Sequence, residues 1–259
     1  GYRRNESASV LRRRDLKVVV CLPSAEQEGS FYFAYLWRGV ERYEAEARDH
    51  GMVFDARPFA IGGYAQVLEE VLEQAEAGER PDGLIAYAPV EPGTVELLTK
   101  ISKLGVSIVL VDGDRPHTGR LGATVAGYSE AGSLMAEQAA NLLPGVPGAK
   151  KILLLAGDPH TDSHADVARA FHAYFDERGL DYAVRDLYGA HKQIDELRGK
   201  VEALLSDADA PGLVCSVFAV GSEVVADTLM ELGLVGKIRV IASDLFPENV
   251  IAMRRGIFT

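Results

Sequence analysis

Asn141-Leu-Leu-Pro-Gly-Val-Pro-Gly-Ala-Lys150 runs directly into Lys151-Ile-Leu-Leu-Leu-Ala156. The first stretch carries two prolines and two glycines, so it continues neither a helix nor a strand. The second is an unbroken apolar run, which predicts a strand buried on both faces. The residues after Lys151 repeat the pattern of those before Asn141: short β-rich runs alternate with amphipathic helical stretches. The break therefore divides the chain into two similar halves, each of ordinary domain size.

Working outward, strands are predicted before the break at 17–22, 52–59, 83–88, 107–111 and 123–126. Helices are predicted at 31–50, 64–77, 93–104 and 130–143. In the second of these helices Val67, Leu68, Val71, Leu72 and Ala75 recur at helical spacing. After the break, strands are predicted at 151–156, 182–187, 212–216 and 238–243, and helices at 163–178, 194–206, 222–232 and 248–255. Gly51, Gly105, Gly179, Gly233 and Gly256 stand where helices should stop. Repeated β-α-β with apolar strands means parallel sheets covered by helices on both faces. The expected fold is thus α/β: two doubly wound parallel-sheet lobes with a ligand cleft between them. A single closed barrel competes, and the mid-chain break argues against it. The lobes are expected at 17–128 and 129–259, after a separate segment at 1–16.

Composition fits this class. The chain has 259 residues, 47% hydrophobic and 25% charged, ordinary for a globular protein. No apolar run approaches a membrane span, so no membrane partner is expected. Cys21 and Cys215 each sit in a predicted strand, which suits buried free thiols in a reducing, cytoplasmic compartment. No phosphate-binding glycine loop, GxGxxG, GxSxG or HExxH is present, so no cofactor and no metal are expected.

The first residues differ from the rest. Residues 1–17 carry Arg3, Arg4, Arg12, Arg13, Arg14 and Lys17 against Glu6 and Asp15, net +4, while the whole chain is −11. A basic tip on an acidic body points to a polyanion at one end only. The plain alternative is a solvated arginine-rich tail. Gly1-Tyr2-Arg3-Arg4-Asn5, with Ala8 and Leu11 after it, resembles the "GYxxN…A…L" join of the lactose-repressor (LacI/GalR) transcription regulators. That family links a DNA-reading helix-turn-helix head to a sugar-sensing core of the periplasmic-binding-protein type I fold. The resemblance implies a head upstream of Gly1 and a hinge in which Arg3, Asn5, Leu11, Arg12 and Arg13 meet DNA. Leu11 would act as a minor-groove wedge and the arginines as phosphate contacts. It also implies a homodimer on operator DNA. Gly256-Ile-Phe-Thr259 reads as a turn and the start of a further strand, which in that fold crosses back to the first lobe.

In open parallel sheets, ligands bind outside the carboxyl ends of the strands, so the candidate ligand residues lie just after the strands. After the first come Ser24, Phe31 and Tyr32, whose rings suit the apolar face of a sugar. Phe31 alternatively packs within its own lobe. Tyr87 comes after the third strand, with the same two readings. Asp112 comes after the fourth, where its carboxylate can accept two hydroxyl hydrogen bonds; the alternative is a solvated Asp-Gly turn. Asp158, Thr161 and Asp162 come after the sixth strand, beside His160 and His164. Ser163 with Asp166 fits a helix capping box there, in preference to a metal or catalytic cluster. Ser216 comes after the eighth strand, where the family often has Asn or Asp. Asp244 comes after the ninth, in Val240-Ile-Ala-Ser-Asp244, which matches the family's "V-I-G-F-D". The chain departs from the family at Val167, where a sugar-contacting Arg usually lies. It departs again at Gly127, where an Asp precedes the Gly matched by Gly132.

Few cations fall in these loops, Arg115 being the main one, so a neutral polyhydroxyl ligand is favoured over an anion. The leading reading is a transcription regulator whose small sugar or polyol effector closes two lobes and alters operator binding. The alternatives are the solute-binding receptor of a sugar transporter and an enzyme, for which no nucleophile–base set is found.

Overall fold

The computed structural model of the protein describes residues 15–26, 31–60, 62–88, 92–145, 150–159, 161–189 and 193–259. The chain divides after Ala126 into two compact units, each with its own sheet and core.

Unit 1 holds strands β1 (Leu16–Cys21), β2 (Met52–Ala56), β3 (Gly83–Tyr87), β4 (Ser107–Val111) and β5 (Gly122–Thr124). They pair in parallel in the order β2-β1-β3-β4-β5. Helices α1 (Phe31–Arg48), α2 (Tyr64–Glu76) and α3 (Thr94–Lys103) make the crossovers. In α2, Tyr64, Leu68, Val71 and Ala75 are the buried residues. Their spacing of three or four puts them on one stripe. That stripe joins Val19, Cys21, Leu84, Ala86, Leu98, Ile101, Ile108 and Leu110 in the core of the unit.

Unit 2 holds β6 (Lys151–Gly157), β7 (Ala183–Tyr188), β8 (Leu213–Ser216) and β9 (Arg239–Ala242), parallel in the order β7-β6-β8-β9. Its helices are α4 (Tyr128–Leu142), α5 (Asp162–Glu177), α6 (Ile194–Leu205), α7 (Ala219–Glu231) and α8 (Pro247–Arg254). Central strands β6 and β8 are buried almost throughout, whereas edge strands β2 and β7 alternate with exposed residues. A central strand has a layer on each face and an edge strand does not, hence the apolar runs of one and the mixed runs of the other. Helix α5 ends in a paired 6→1 and 5→2 motif: Leu180 donates to the Phe175 carbonyl and Gly179 to that of Asp176. Gly179 sits at φ +60°, which a residue without a Cβ adopts at no steric cost.

Two local expectations are corrected. The capping box at Ser163 and Asp166 does not form: α5 begins one residue earlier, Thr161 is its N-cap, and Asp166 pairs with Arg169. Helix α7 begins at Ala219, three residues before its expected start. Gly221, left out of the expected helix, serves packing inside it: a Cβ there would meet the Phe218 ring at 2.6 Å and the Ser216 hydroxyl at 2.7 Å. Ser222 is absorbed by donating from its hydroxyl to the Phe218 carbonyl at 3.2 Å.

Candidate functional site

Both sheets carry their loops out at the carboxyl ends of the strands, where the sequence places the candidate ligand residues. In unit 1, Pro23 bridges Phe59 beyond the end of β1, and the Trp37 indole N–H of α1 donates to the Pro23 carbonyl at 2.8 Å. That fixes the start of the first loop. Ser24 donates its backbone N–H to the Phe59 carbonyl, and its hydroxyl accepts from the N–H of Glu26.

Tyr87 ends β3, and its carbonyl accepts the hydroxyl of the fully buried Tyr64 at 2.6 Å. The Tyr64 ring stacks on Phe59 with centroids 4.4 Å apart. On its other side Tyr87 meets Phe33 edge-on at 5.5 Å, and Phe33 meets Tyr32 edge-on at 5.5 Å. Tyr32, Phe33 and Tyr87 therefore form a chain of edge-to-face rings whose exposed end is Tyr32. Phe33 was missed in the sequence because it lies one residue past the aromatic pair that drew attention. The side chain of Phe31 is outside those described.

Asp112 directly follows β4, and its N–H donates to the Thr124 carbonyl of β5 at 3.0 Å. Its φ is +65°. The neighbouring Asp114 has another role. Arg120 grips both of its carboxylate oxygens, and that hydrogen bonding holds the Asp114 carboxyl below the ordinary carboxylate range. The Asp-Gly-Asp run thus contains one ion-paired carboxylate and one at the strand end.

In unit 2 the corresponding strand is β9, and two residues after its last residue, Ala242, comes Asp244. It is exposed and has φ +69°. Asp112 and Asp244 are the only non-glycine residues with positive φ among the described residues. Left-handed backbone in a residue with a Cβ is unfavourable and concentrates at functional turns. The finding links two aspartates that the sequence connected only by their place after a strand.

The β6–α5 turn is built around His164. Its Nδ1 accepts the Asp158 N–H at 3.1 Å, so Nδ1 carries no proton in this arrangement. Its ring lies 5.4 Å from that of Phe218 and sits under Gly157, where φ is +70° and a Cβ would meet Nδ1 at 2.5 Å. Thr161 donates to the Asp158 carbonyl at 3.0 Å and opens α5, placing Asp162 in the favourable field of the first turn.

One expectation about unit 2 changes. Ser216 is fully buried, and its hydroxyl donates to the Phe218 carbonyl at 2.9 Å, so it holds the β8–α7 turn together from inside instead of facing the loops. Val167, at the position of the family's arginine, is also buried, against Gly132 of α4. The expected DNA contacts Arg3, Asn5, Leu11, Arg12 and Arg13, together with His160, lie outside the described residues.

No group of three or more His, Cys, Asp or Glu among the described residues is placed to hold a metal. Both cysteines are buried, and burial pushes the Cys21 thiol up to about 12 and the Cys215 thiol up as well. Neither is therefore a ready thiolate. No described helix is long and apolar enough to cross a membrane. Chemically, the two edges offer carboxylates that accept hydrogen bonds from hydroxyls and an aromatic surface for C–H groups.

The chain resembles known proteins over nearly its whole length. A protein assigned to the LacI transcriptional regulators, from Bacteroides fragilis, superposes with a TM-score of 0.78 at 13% identity, covering 95% of this chain and 83% of that one. A periplasmic ribose ABC transporter protein from Conexibacter woesei gives 0.78 at 21% identity, covering 95% and 78%. An ABC transporter solute-binding protein from Burkholderia graminis, in complex with D-arabinose, gives 0.76 at 18% identity, covering 95% and 81%. At these identities the likeness is one of fold. No curated protein sequence matches the chain. The profile of the periplasmic binding protein domain, however, matches residues 19–259, and the chain belongs to that family.

Proposed function

We propose that the protein binds a small neutral sugar or polyol through the carboxyl-end loops of its two sheets, and that it is the ligand-sensing core of a cytoplasmic, dimeric transcription regulator. The observation that carries the sugar reading is the pair Asp112 and Asp244. Each comes after the fourth strand of its unit and is held in left-handed backbone. The ring chain Tyr32–Phe33–Tyr87 supports it, as does the D-arabinose held by the Burkholderia graminis neighbour. The test is a thermal-shift screen of sugars and polyols and then calorimetric titration. A ligand that binds only the folded state raises the melting temperature, and a flat response across the screen would refute the sugar reading.

The regulator reading rests on the Gly1-Tyr-Arg-Arg-Asn5 segment with Ala8 and Leu11, and on likeness of fold to the Bacteroides fragilis protein. The competing reading, a solute-binding receptor of a transporter, is favoured by the Conexibacter woesei and Burkholderia graminis neighbours. Fluorescence anisotropy of a labelled duplex separates them. A regulator binds with an affinity that falls steeply with salt, weakens on Arg12→Ser/Arg13→Ser substitution and changes when sugar is added. A transport receptor shows no sugar-dependent DNA binding.

A further inference from the structure

The sequence drew attention to Asp244 and passed over Asn249. Asn249 is the third residue of α8, on a helix with a weakly amphipathic sequence, and it is buried at 3% exposure. Its Nδ2 donates to two consecutive backbone carbonyls, that of Ser243 at 2.9 Å and that of Asp244 at 3.1 Å. A primary amide has two N–H donors on one nitrogen, and here that nitrogen serves the two peptides that flank the left-handed turn. A buried amide in this position adds no apolar surface. What it contributes is the shape of the turn.

The contrast with unit 1 explains why the turn calls for such a residue. Asp112 has a neighbouring strand: β5 supplies the Thr124 carbonyl for its N–H, so the ladder itself holds the strand end. β9 is the edge of the unit 2 sheet among the described strands. Beside it, Thr259 donates to the Val240 carbonyl, which lies near the middle of β9 and not at its carboxyl end. At that end the ladder reaches Ser243, whose N–H donates to the Ser216 carbonyl at 3.0 Å. Beyond this point the Asn249 side chain holds the Ser243 and Asp244 carbonyls.

We propose that Asn249 is a positioning residue for the ligand site. It fixes the Ser243–Asp244 peptides so that Asp244 keeps its left-handed backbone, and it thereby sets ligand affinity without touching the ligand. This inference rests on the sugar-binding reading for its functional consequence, while its structural half stands separately.

The test is a double-mutant cycle on the whole chain. The variants are Asn249→Ala, Asn249→Leu, Asp244→Asn and the corresponding double substitutions. Asp244→Asn removes the charge while keeping a residue type that tolerates left-handed backbone. Asn249→Leu keeps the buried volume and removes the donors, so it serves if Asn249→Ala does not fold. The probe is the tightest binder among D-arabinose, D-ribose, D-glucose and D-galactose, titrated calorimetrically. Hydrogen exchange is monitored at the amides of 244–246.

Either Asn249 variant is expected to weaken binding about tenfold in the Asp244 background and less than twofold in the Asp244→Asn background. Exchange at 244–246 should rise at least tenfold in both, with or without sugar. Equal losses in the two backgrounds would overturn the proposal, because Asn249 would then act on the fold at large; so would unchanged affinity in a folded variant. If Asp244→Asn itself leaves binding unchanged, or no sugar binds, the sugar-site reading fails. The exchange data then still decide on Asn249, and unchanged protection of 244–246 overturns its role.

Discussion

Each unit places an aspartate just beyond the carboxyl end of its fourth strand, one residue after β4 and two after β9, and holds it by different means. In unit 1 the end of β4 is enclosed by β5, and Asp112 is fixed by strand pairing to Thr124. Gly113 then passes so close to Ala88 that a Cβ there would lie 2.7 Å from the Ala88 Cβ. In unit 2 the end of β9 has no such strand among those described, and Asp244 is fixed by the buried amide of Asn249. A repeated α/β motif thus keeps a carboxylate beyond its fourth strand while changing the contacts that orient it. The two units differ elsewhere as well. Unit 1 carries the ring chain of Tyr32, Phe33 and Tyr87, which runs from α1 to the carboxyl end of β3, whereas unit 2 draws Ser216, Phe218 and Val167 into its core.

The largest expected effect lies in the packing of unit 2. Gly132 of α4 faces α5 so closely that a methyl group would overlap the Val167 carbonyl oxygen and lie 2.9 Å from the Ala170 Cβ. A backbone carbonyl in a helix cannot turn aside, so Gly132→Ala forces the helices apart. Urea denaturation should show a loss of about 3 kcal/mol, with hydrogen exchange changed in unit 2 only. A neutral result would mean that α4 and α5 leave room for a methyl group between them.

Gly113→Ala is the counterpart in unit 1. Its obstacle is a side-chain methyl at the ends of two strands, which can shift by a few tenths of an ångström. The expected loss is about 1–2 kcal/mol, and exchange should rise at the β3 and β4 ends. An effect on unit 2 protection instead would contradict the division into units.

Smaller still is the stability change on replacing either aspartate with glycine. Relief of left-handed backbone favours the folded state, while the freer glycine favours the unfolded one. Asp112→Gly and Asp244→Gly should therefore fold within about 1 kcal/mol of wild type, yet bind sugar far less well. Severe destabilisation by either would show that these residues serve structure first.

The smallest effect concerns acid. Arg120 lowers the folded-state pKa of Asp114. The stabilisation from this pair is therefore fully present above the ordinary carboxylate value of about 3.9 and is lost as pH falls through the lowered value. A carboxyl-selective NMR titration should place Asp114 below a free aspartate, and Arg120→Gln should return it towards normal. In a pair this exposed the contribution to stability is small.

Much of the fold was legible in the sequence. The apolar runs of β6 and β8 and the stripe of α2 state their burial directly, and the break before Lys151 precedes the first strand of unit 2, although the units divide upstream of it, after Ala126. What was not legible was how short polar residues are spent. Ser163 looks like a cap, yet Thr161 holds that position; Ser222 looks like the start of a helix, yet it is buried with Gly221 inside α7. Serine, threonine and glycine favour caps, turns and close packing alike, so tertiary contacts decide among these uses. Of the candidate site, what sequence position fixes is that Asp112 and Asp244 follow strands, as they do in the fold. Position alone does not show where partners decide: Ser216 turns inward to the Phe218 carbonyl, Phe33 and His164 acquire roles only once distant segments meet, and Asn249 folds back on the turn just before its helix.

The central claim is that Asp112 and Asp244, each beyond the carboxyl end of the fourth strand of its own unit, are ligand residues. The direct measurement is calorimetric titration of the best sugar from the screen into wild type, Asp112→Ala and Asp244→Ala. Each substitution removes hydrogen bonds to a charged acceptor worth about 1.5–3 kcal/mol, so affinity should fall about ten- to hundredfold in each. A protein that folds and binds the sugar equally well without either carboxylate would contradict the account.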